Sequence, residues 1–270
     1  MPIKIATWNV NSIKSRLGIV TGWLKTNSPD IVLLQELKCE TAAFPYMEIE
    51  DLGYNVAVNG QKTYNGVAVL SKFPIEEVIK DLPGDEADSH ARYIEAVVSV
   101  SGNIVRAASV YVPNGQSVGS DKFAYKLKFL ERLCENTRKL LEYDEIFVLG
   151  GDYNVAPEAI DVFDAARLDG SICFHPEERA RLNALMHLGL TDTFRSSYPE
   201  ARQYSWWDYR AGSFQQNLGM RIDMLLASPR AADLVIAAGI DEHPRALEKA
   251  SDHAPVWVEI QEAGNPSLEN

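Results

Sequence analysis

Four carboxylates stand at the ends of apolar runs in this sequence, and a set of that kind asks for a hard cation. Glu36 follows the run Asp30–Leu34, while Asp152 and Asn154 follow Ile146–Leu149. Asn9 closes Ile3–Trp8, and Asn114 follows Val105–Val112, with Tyr111 inside that run. In two later runs the polarity is reversed: Asp223 precedes Met224–Leu226, and Asp252 with His253 precedes Val256–Ile260. Antiparallel strands would bring both sets to one rim. A rim holding Glu36, Asp152, Asp223 and Asp252 repels itself unless a metal ion or a histidinium sits among them. Oxygen donors with little sulfur or imidazole favour Mg²⁺, with Mn²⁺ as the alternative. Such an ion takes one or two carboxylates, keeps several waters and leaves positions for a phosphate. Asn, Tyr and His side chains can donate to the remaining phosphate oxygens.

Most of these pieces have an ordinary reading when taken singly. Gly150–Asn154 has the composition of any turn that ends a strand. Glu36 fits a solvated strand end, and Ser251–Pro255 fits a loop closed by proline. Asp223 is different, because it lies between Ile222 and Met224 in an apolar run, where a charge needs a partner.

The elements that must position these residues can be read from periodicity. Short Val- and Ile-rich runs separated by turn signals predict strands at Ile3–Trp8, Ile31–Leu34, Val67–Leu70, Ile94–Val100, Val105–Val112 and Ile146–Leu149, then Met224–Leu226, Leu234–Ala238 and Val256–Ile260. Three-to-four spacing predicts helices over Ile13–Thr26 and Ser120–Glu142, with helical segments around Ala159–Arg167 and Glu177–Leu188. Strands apolar on both faces with helices between them predict two packed sheets with helices outside. The chain is expected to form one domain over residues 1–263, with a frayed tail at 264–270.

Composition limits the partners. The 270 residues are 46% apolar and 24% charged, enough for a sizeable core, and the net charge of -12 excludes binding to phosphate backbones by bulk attraction. Residues 1–150 carry 16 basic and 19 acidic side chains, the remainder 10 and 19, so a local basic patch belongs in the first half. Cys39, Cys134 and Cys173 are widely spaced and never in C-x-x-C register, which fits a reducing compartment. The first ten residues lack a charged stretch followed by an apolar one, and no membrane-length apolar run occurs, so a cytoplasmic protein without a membrane partner is expected.

Six blocks in order resemble the endonuclease/exonuclease/phosphatase superfamily, most closely its exonuclease III branch of abasic-site endonucleases. They are Thr7–Asn11, Leu34–Lys38, Tyr111–Gly115, Gly151–Pro157, Arg221–Asp223 and Ser251–Val256. The resemblance implies an α+β fold, a four-layer α/β/β/α sandwich of two mixed β-sheets packed face to face with helices outside. It implies that Glu36 is the principal metal ligand with Asn9 beside it, and that Asp152, helped by Asn154, orients or deprotonates the attacking water. Asp152 and Asn154 also border the metal position. Asp223 would pair with a charged catalytic His253, Tyr111 and Asn114 would hold phosphate oxygens, and Asp252 would lie near the leaving oxygen or a second metal position.

The resemblance further implies duplex DNA with abasic sites or 3′ ends as the partner of a monomeric nuclease. Superfamily cores also cleave lipid and inositol phosphates, and a catalytically inactive nucleic-acid binding module is a third class, so the rim loops must choose. The loop Tyr204–Arg210 holds aromatic faces and Arg210, suited to an extruded sugar. Trp206 is expected to line the pocket, with Met220 and Ile222 completing an apolar wall, while Trp207 fits either pocket or core. Arg92, Lys122, Lys126 and Arg221 are candidate backbone contacts, although Lys122 and Lys126 also fit a plain solvated helix face. Ser12 stands where many members have glycine, Asn11 where some have aspartate, and Met220 where some have tryptophan.

Overall fold

The computed structural model describes residues 2–100 and 102–262. Its strands are β1 (Ile3–Asn9), β2 (Ile31–Gln35), β3 (Asn55–Asn59), β4 (Val67–Ser71), β5 (Ile75–Lys80), β6 (Tyr93–Val100), β7 (Asn103–Tyr111), β8 (Ile146–Asp152), β9 (Thr191–Asp192), β10 (Trp206–Trp207), β11 (Gly219–Met220), β12 (Asp223–Ala227), β13 (Val235–Ile240) and β14 (Val256–Ile260). The helices are α1 (Leu17–Asn27), α2 (Tyr46–Glu50), α3 (Asp121–Leu141), α4 (Ala165–Leu168), α5 (Pro176–Met186), α6 (Thr193–Ser197) and α7 (Pro229–Ala232).

Two six-stranded sheets form, in the orders β13-β14-β1-β2-β4-β3 and β5-β6-β7-β8-β12-β9, with β10 and β11 as a separate ribbon. Both sheets are mixed. The β1/β2 and β7/β8 pairs are parallel, and the chain between their strands passes through α1 and α3 respectively, as a parallel pair requires. Between the sheets, Ile5, Ile31, Leu33, Val67 and Val69 meet Ile94, Ala96, Val105, Val148 and Leu225. Outside one sheet, Trp8, Val32 and Leu34 pack with Val20, Trp23 and Leu24 of α1. Outside the other, Leu149 and Met224 pack with Phe129, Leu130 and Leu133 of α3 and Leu182 and Leu185 of α5. The expected four-layer sandwich is the observed one.

Two details fix how closely the layers approach. A Cβ on Gly150 would come within 2.6 Å of Leu33 in the facing sheet, and one on Gly151 within 1.9 Å of the Val110 carbonyl oxygen. Beneath the rim, the buried Gln35 Nε2 donates to Thr7 Oγ1 of the neighbouring strand and, across to the facing sheet, to Ser109 Oγ, each at 2.9 Å, and Ser109 Oγ donates back to the Leu34 carbonyl at 2.9 Å. Each hydroxyl or amide in this stitch has its partner, which is the condition for a buried polar network to hold two layers together.

Several boundaries differ from the periodicity reading. Ile13 precedes α1, buried in a loop where its N–H donates to the Leu37 carbonyl at 3.2 Å, so its place in the apolar pattern reflects burial and not helix. The segment Ala159–Arg167 divides into a single 3₁₀ turn at Ala159–Asp161 and the four-residue α4. Edge strand β5 escaped the reading because its residues are mostly exposed and include Glu76 and Glu77. The expected tail at 264–270 and domain limit at 263 lie outside the described residues. Among the described residues, no helix is long and apolar enough to cross a membrane.

Candidate active site

Strand register assembles the rim. Asp223 lies opposite Asp152 in the antiparallel β12/β8 pair, and Tyr111 lies opposite Asp152 in the parallel β7/β8 pair. In the facing sheet, Asn9 ends β1 and lies opposite Gln35, so Glu36 turns out beside it. Antiparallel β14 enters that sheet at Val256 opposite Thr7, which carries His253 to the same edge. The backbone is bent to present these groups: Asn11, Ser12, Glu36, Lys38 and Asn154 all have φ between 44° and 86°. Non-glycine residues stay in that region only where neighbours over-determine them. Here Ser12 N–H donates to the Glu36 carbonyl at 2.7 Å, and Asn154 N–H to Asp152 Oδ1 at 2.9 Å.

Asn9 joins the two sheets at the site. Its Nδ2 donates to Glu36 Oε1 at 2.8 Å and to Asp152 Oδ2 at 2.9 Å, while its Oδ1 accepts the Asn11 N–H at 3.0 Å. Its amide thus ties the two carboxylates together at the edge where the sheets meet. Asp152 also accepts Asn154 Nδ2 at 3.2 Å. His253 Nδ1 lies 2.8 Å from Asp223 Oδ2, and its Nε2 lies 3.7 Å from Asp152 Oδ2. Ser205, which the sequence reading missed, donates to Asp223 Oδ2 at 2.7 Å and accepts the Ile222 and Asp223 N–H groups. Lys38, quoted before only as part of a motif, places Nζ 2.9 Å from Glu36 Oε2 and 2.5 Å from Asn11 Oδ1.

The electrostatics follow from burying several carboxylates together. Burial raises the Asp152 carboxyl to about 7, with Asp223 and Glu36 adding to the rise and His253 and Asn9 opposing it. For His253 burial works downward, but Asp223 and Asp152 outweigh it and push the imidazole up to about 10. Burial and the nearby Glu36 and Asp152 carboxylates hold the Tyr111 phenol well above its ordinary value, so it remains a donor. For Asp252 burial works upward, but His253, Trp206 and Asn11 outweigh it and keep the carboxyl below the usual range. Donor atoms of Glu36, Asp152 and His253 all lie within 4.8 Å of one another. Two anionic carboxylates at that spacing, one of them costly to ionise alone, are a donor set that fits a hard divalent ion.

The other expected site residues divide. Trp206, Met220 and Ile222 line one side of a cavity of about 250 Å³ that reaches Asp152 and His253. Asn114 joins it through Asn154, donating Nδ2 to Asn154 Oδ1 at 3.1 Å. Asp252 borders the same cavity outside the three-residue cluster, with Oδ1 accepting Asn11 Nδ2 at 2.9 Å and Oδ2 accepting Trp206 Nε1 at 3.0 Å. Arg92 stacks over the Tyr111 ring at 4.7 Å and lines a second cavity of about 530 Å³, together with Lys38, His90 and Lys122. That cavity adjoins the first at Glu36, Tyr111 and Asn114, and its basic side chains all come from the first half of the chain.

Two assignments are corrected. Arg221 is 1% exposed and cannot meet DNA, because its guanidinium is held 2.7 Å from both Asp161 and Asp192. Lys126 is neither a DNA contact nor on a solvated face, since it is fully buried. Arg210 is exposed on its loop, where it pairs with Asp208 at 2.6 Å, and does not line this cavity. Trp207 is core, packed edge-on to Tyr204 and Phe214.

Comparison with known proteins agrees with this geometry. The chain matches the Endonuclease/Exonuclease/phosphatase family over residues 6–253. It is 35% identical to exodeoxyribonuclease III of Haemophilus influenzae, over 96% of this chain and 100% of that one. An AP endonuclease from Archaeoglobus fulgidus is similar with a TM-score of 0.90 and 40% identity, covering 96% of this chain and 100% of that one. A 3′ phosphatase from Neisseria, solved bound to product DNA hairpin, is similar with a TM-score of 0.92 and 40% identity over the same shares. Likeness of that extent, running through each segment that the strand register gathers at the rim, makes the chain a member of the Endonuclease/Exonuclease/phosphatase family, in its exonuclease III branch.

Proposed function

We propose that this chain is a Mg²⁺-dependent DNA repair nuclease that cuts duplex DNA 5′ to abasic sites and removes nucleotides or blocking groups from 3′ ends. One observation carries the reading: His253, fixed by Asp223, faces Asp152 at the floor of a cavity walled by Trp206, Met220 and Ile222. A phosphodiester repels an anionic nucleophile, so its oxygens must be neutralised, a water aligned and the leaving alkoxide stabilised. A divalent ion held by Glu36 and Asp152 would, when bound, neutralise the phosphate charge and stabilise the leaving alkoxide. Asp152 aligns the water and accepts its proton, oriented by the Asn154 N–H and by Asn9. His253 keeps its proton against the neighbouring carboxylates and directs Nε2 toward the phosphate. Tyr111 and Asn114 donate to the remaining phosphate oxygens, and Trp206 offers its face to a sugar that has left the helix, which costs least where the base is missing.

The reading includes a monomer working in the cytoplasm and folding as one domain through residue 263. The unpaired Cys39, Cys134 and Cys173 fit a reducing compartment. The test is incubation with an abasic duplex and Mg²⁺: strand cleavage is expected, with Asp152→Ala lowering the rate on the order of 10²–10⁴-fold. An inactive wild type, or full activity in that variant, would reject the assignment.

A further inference from the structure

Lys126 of α3 and Glu178 of α5 are both fully buried, and they form an ion pair. A buried ammonium is costly unless its three donors are all used. Those of Lys126 go to the Asn154 carbonyl at 2.7 Å, the Asn114 carbonyl at 3.1 Å and Glu178 Oε1. The other oxygen of Glu178 accepts the His175 N–H at 3.0 Å and so fixes the first turn of α5. Both carbonyls belong to residues whose side chains reach the cavity beside Asp152. Asn154 sits at φ 51°, in the left-handed region, with its N–H on Asp152 Oδ1 at 2.9 Å and its carbonyl on Lys126. The loop is shaped around the lysine: Gly115 has φ +88°, and a Cβ there would lie 3.1 Å from Lys126 Cδ.

We propose that Lys126 is a positioning residue of the reaction, holding Asn114 and Asn154 by their backbone carbonyls and, through Asn154, setting the Asp152 carboxylate. The inference rests on the phosphodiester hydrolysis proposed above. Lys126 itself touches neither substrate nor reacting atoms.

The test compares Glu178→Gln, which removes the ion pair but keeps the ammonium on both carbonyls, with the double variant Lys126→Met/Glu178→Gln, which removes both charges. Single-site cleavage of an abasic duplex is measured with Mg²⁺ at a temperature where circular dichroism shows both proteins folded. Glu178→Gln should melt earlier yet keep kcat within about twofold, while the double variant should lose about 100-fold in kcat with KM nearly unchanged. A double variant as fast as Glu178→Gln, or kcat falling in step with Tm in both, overturns the proposal. A second readout needs no variant: in the wild type, the Lys126 ammonium protons should be protected from solvent exchange and show through-bond NMR coupling to the Asn154 carbonyl. Exchange at the rate of an exposed lysine overturns the proposal even where the double variant does not fold. A wild type without nuclease activity would instead fail the earlier reading, leaving the NMR result interpretable.

Discussion

At the residue scale, the Asp223–His253–Asp152 row sets how the site responds to pH. The Asp152 carboxyl is raised to about 7 from an ordinary 3.8, so without metal its contribution favours the folded state below pH 3.8 and is lost as pH rises through 7. A divalent cation should offset that loss. Adding Mg²⁺ is therefore expected to raise Tm more at pH 8 than at pH 5, and an equal shift at both would contradict it. His253 has the same sign at higher pH: raised to about 10, its contribution is present below pH 6.5 and lost as pH climbs through 10. Asp223→Asn removes the partner of Nδ1 and should lower kcat by about 10²-fold, with duplex binding nearly unchanged in a filter or anisotropy assay. Asp223 was legible because a charge inside an apolar run must be paired. Arg221, two positions earlier, raised the same question and was misread as a DNA contact. Its partners Asp161 and Asp192 lie 60 and 29 positions away in sequence, and only folding brings them together.

At the element scale, strand ends placed the site more reliably than helix limits did. Apolar runs bounded by Asp, Asn or Glu gave β1, β2, β7, β8, β12 and β14 to within a few residues, because a buried strand in the middle of a sheet has no room for polar positions. Edge strands β3 and β5 were missed because one side of each is free of pairing and polar residues are tolerated there. Gly150 and Gly151 read as ordinary turn residues and are instead strand residues whose missing side chains let layers and strands close up. Gly151→Ala should push β8 off Val110 and cost roughly 3 kcal/mol or more, whereas Gly150→Ala meets side-chain methyls that can shift and should cost about 1–3 kcal/mol. Urea denaturation of the two variants checks the order.

At the scale of the whole molecule, charge and shape divide the work of meeting a polyanion. A protein of net charge -12 cannot rely on its overall field, so binding should rest on the few cations of the cavity beside Glu36. If Lys38, Arg92 and Lys122 each meet one phosphate, the plot of log K against log salt should have a slope of about -3. Lys122→Ala should reduce that slope by about one while leaving kcat unchanged, and a slope near that of strongly basic DNA-binding proteins would contradict it. Residue counts pointed to the first half, where these cations lie. Which of them line the cavity was not legible, because Lys126 and Lys122 are neighbours on one helix and only the packing of α5 tells them apart.

The Gln35–Thr7–Ser109 stitch has a consequence for failure. Asn9 ends a strand of one sheet, with Glu36 and His253 in the loops that flank its strands, and Asp152, Asp223 and Tyr111 belong to the other, so neither slab owns a working half. A slip of one slab over its mate by a single side-chain diameter would separate Asp152 from His253 while leaving most secondary structure intact. Catalysis should therefore vanish on heating before circular dichroism reports melting, with the seam acting as the fuse.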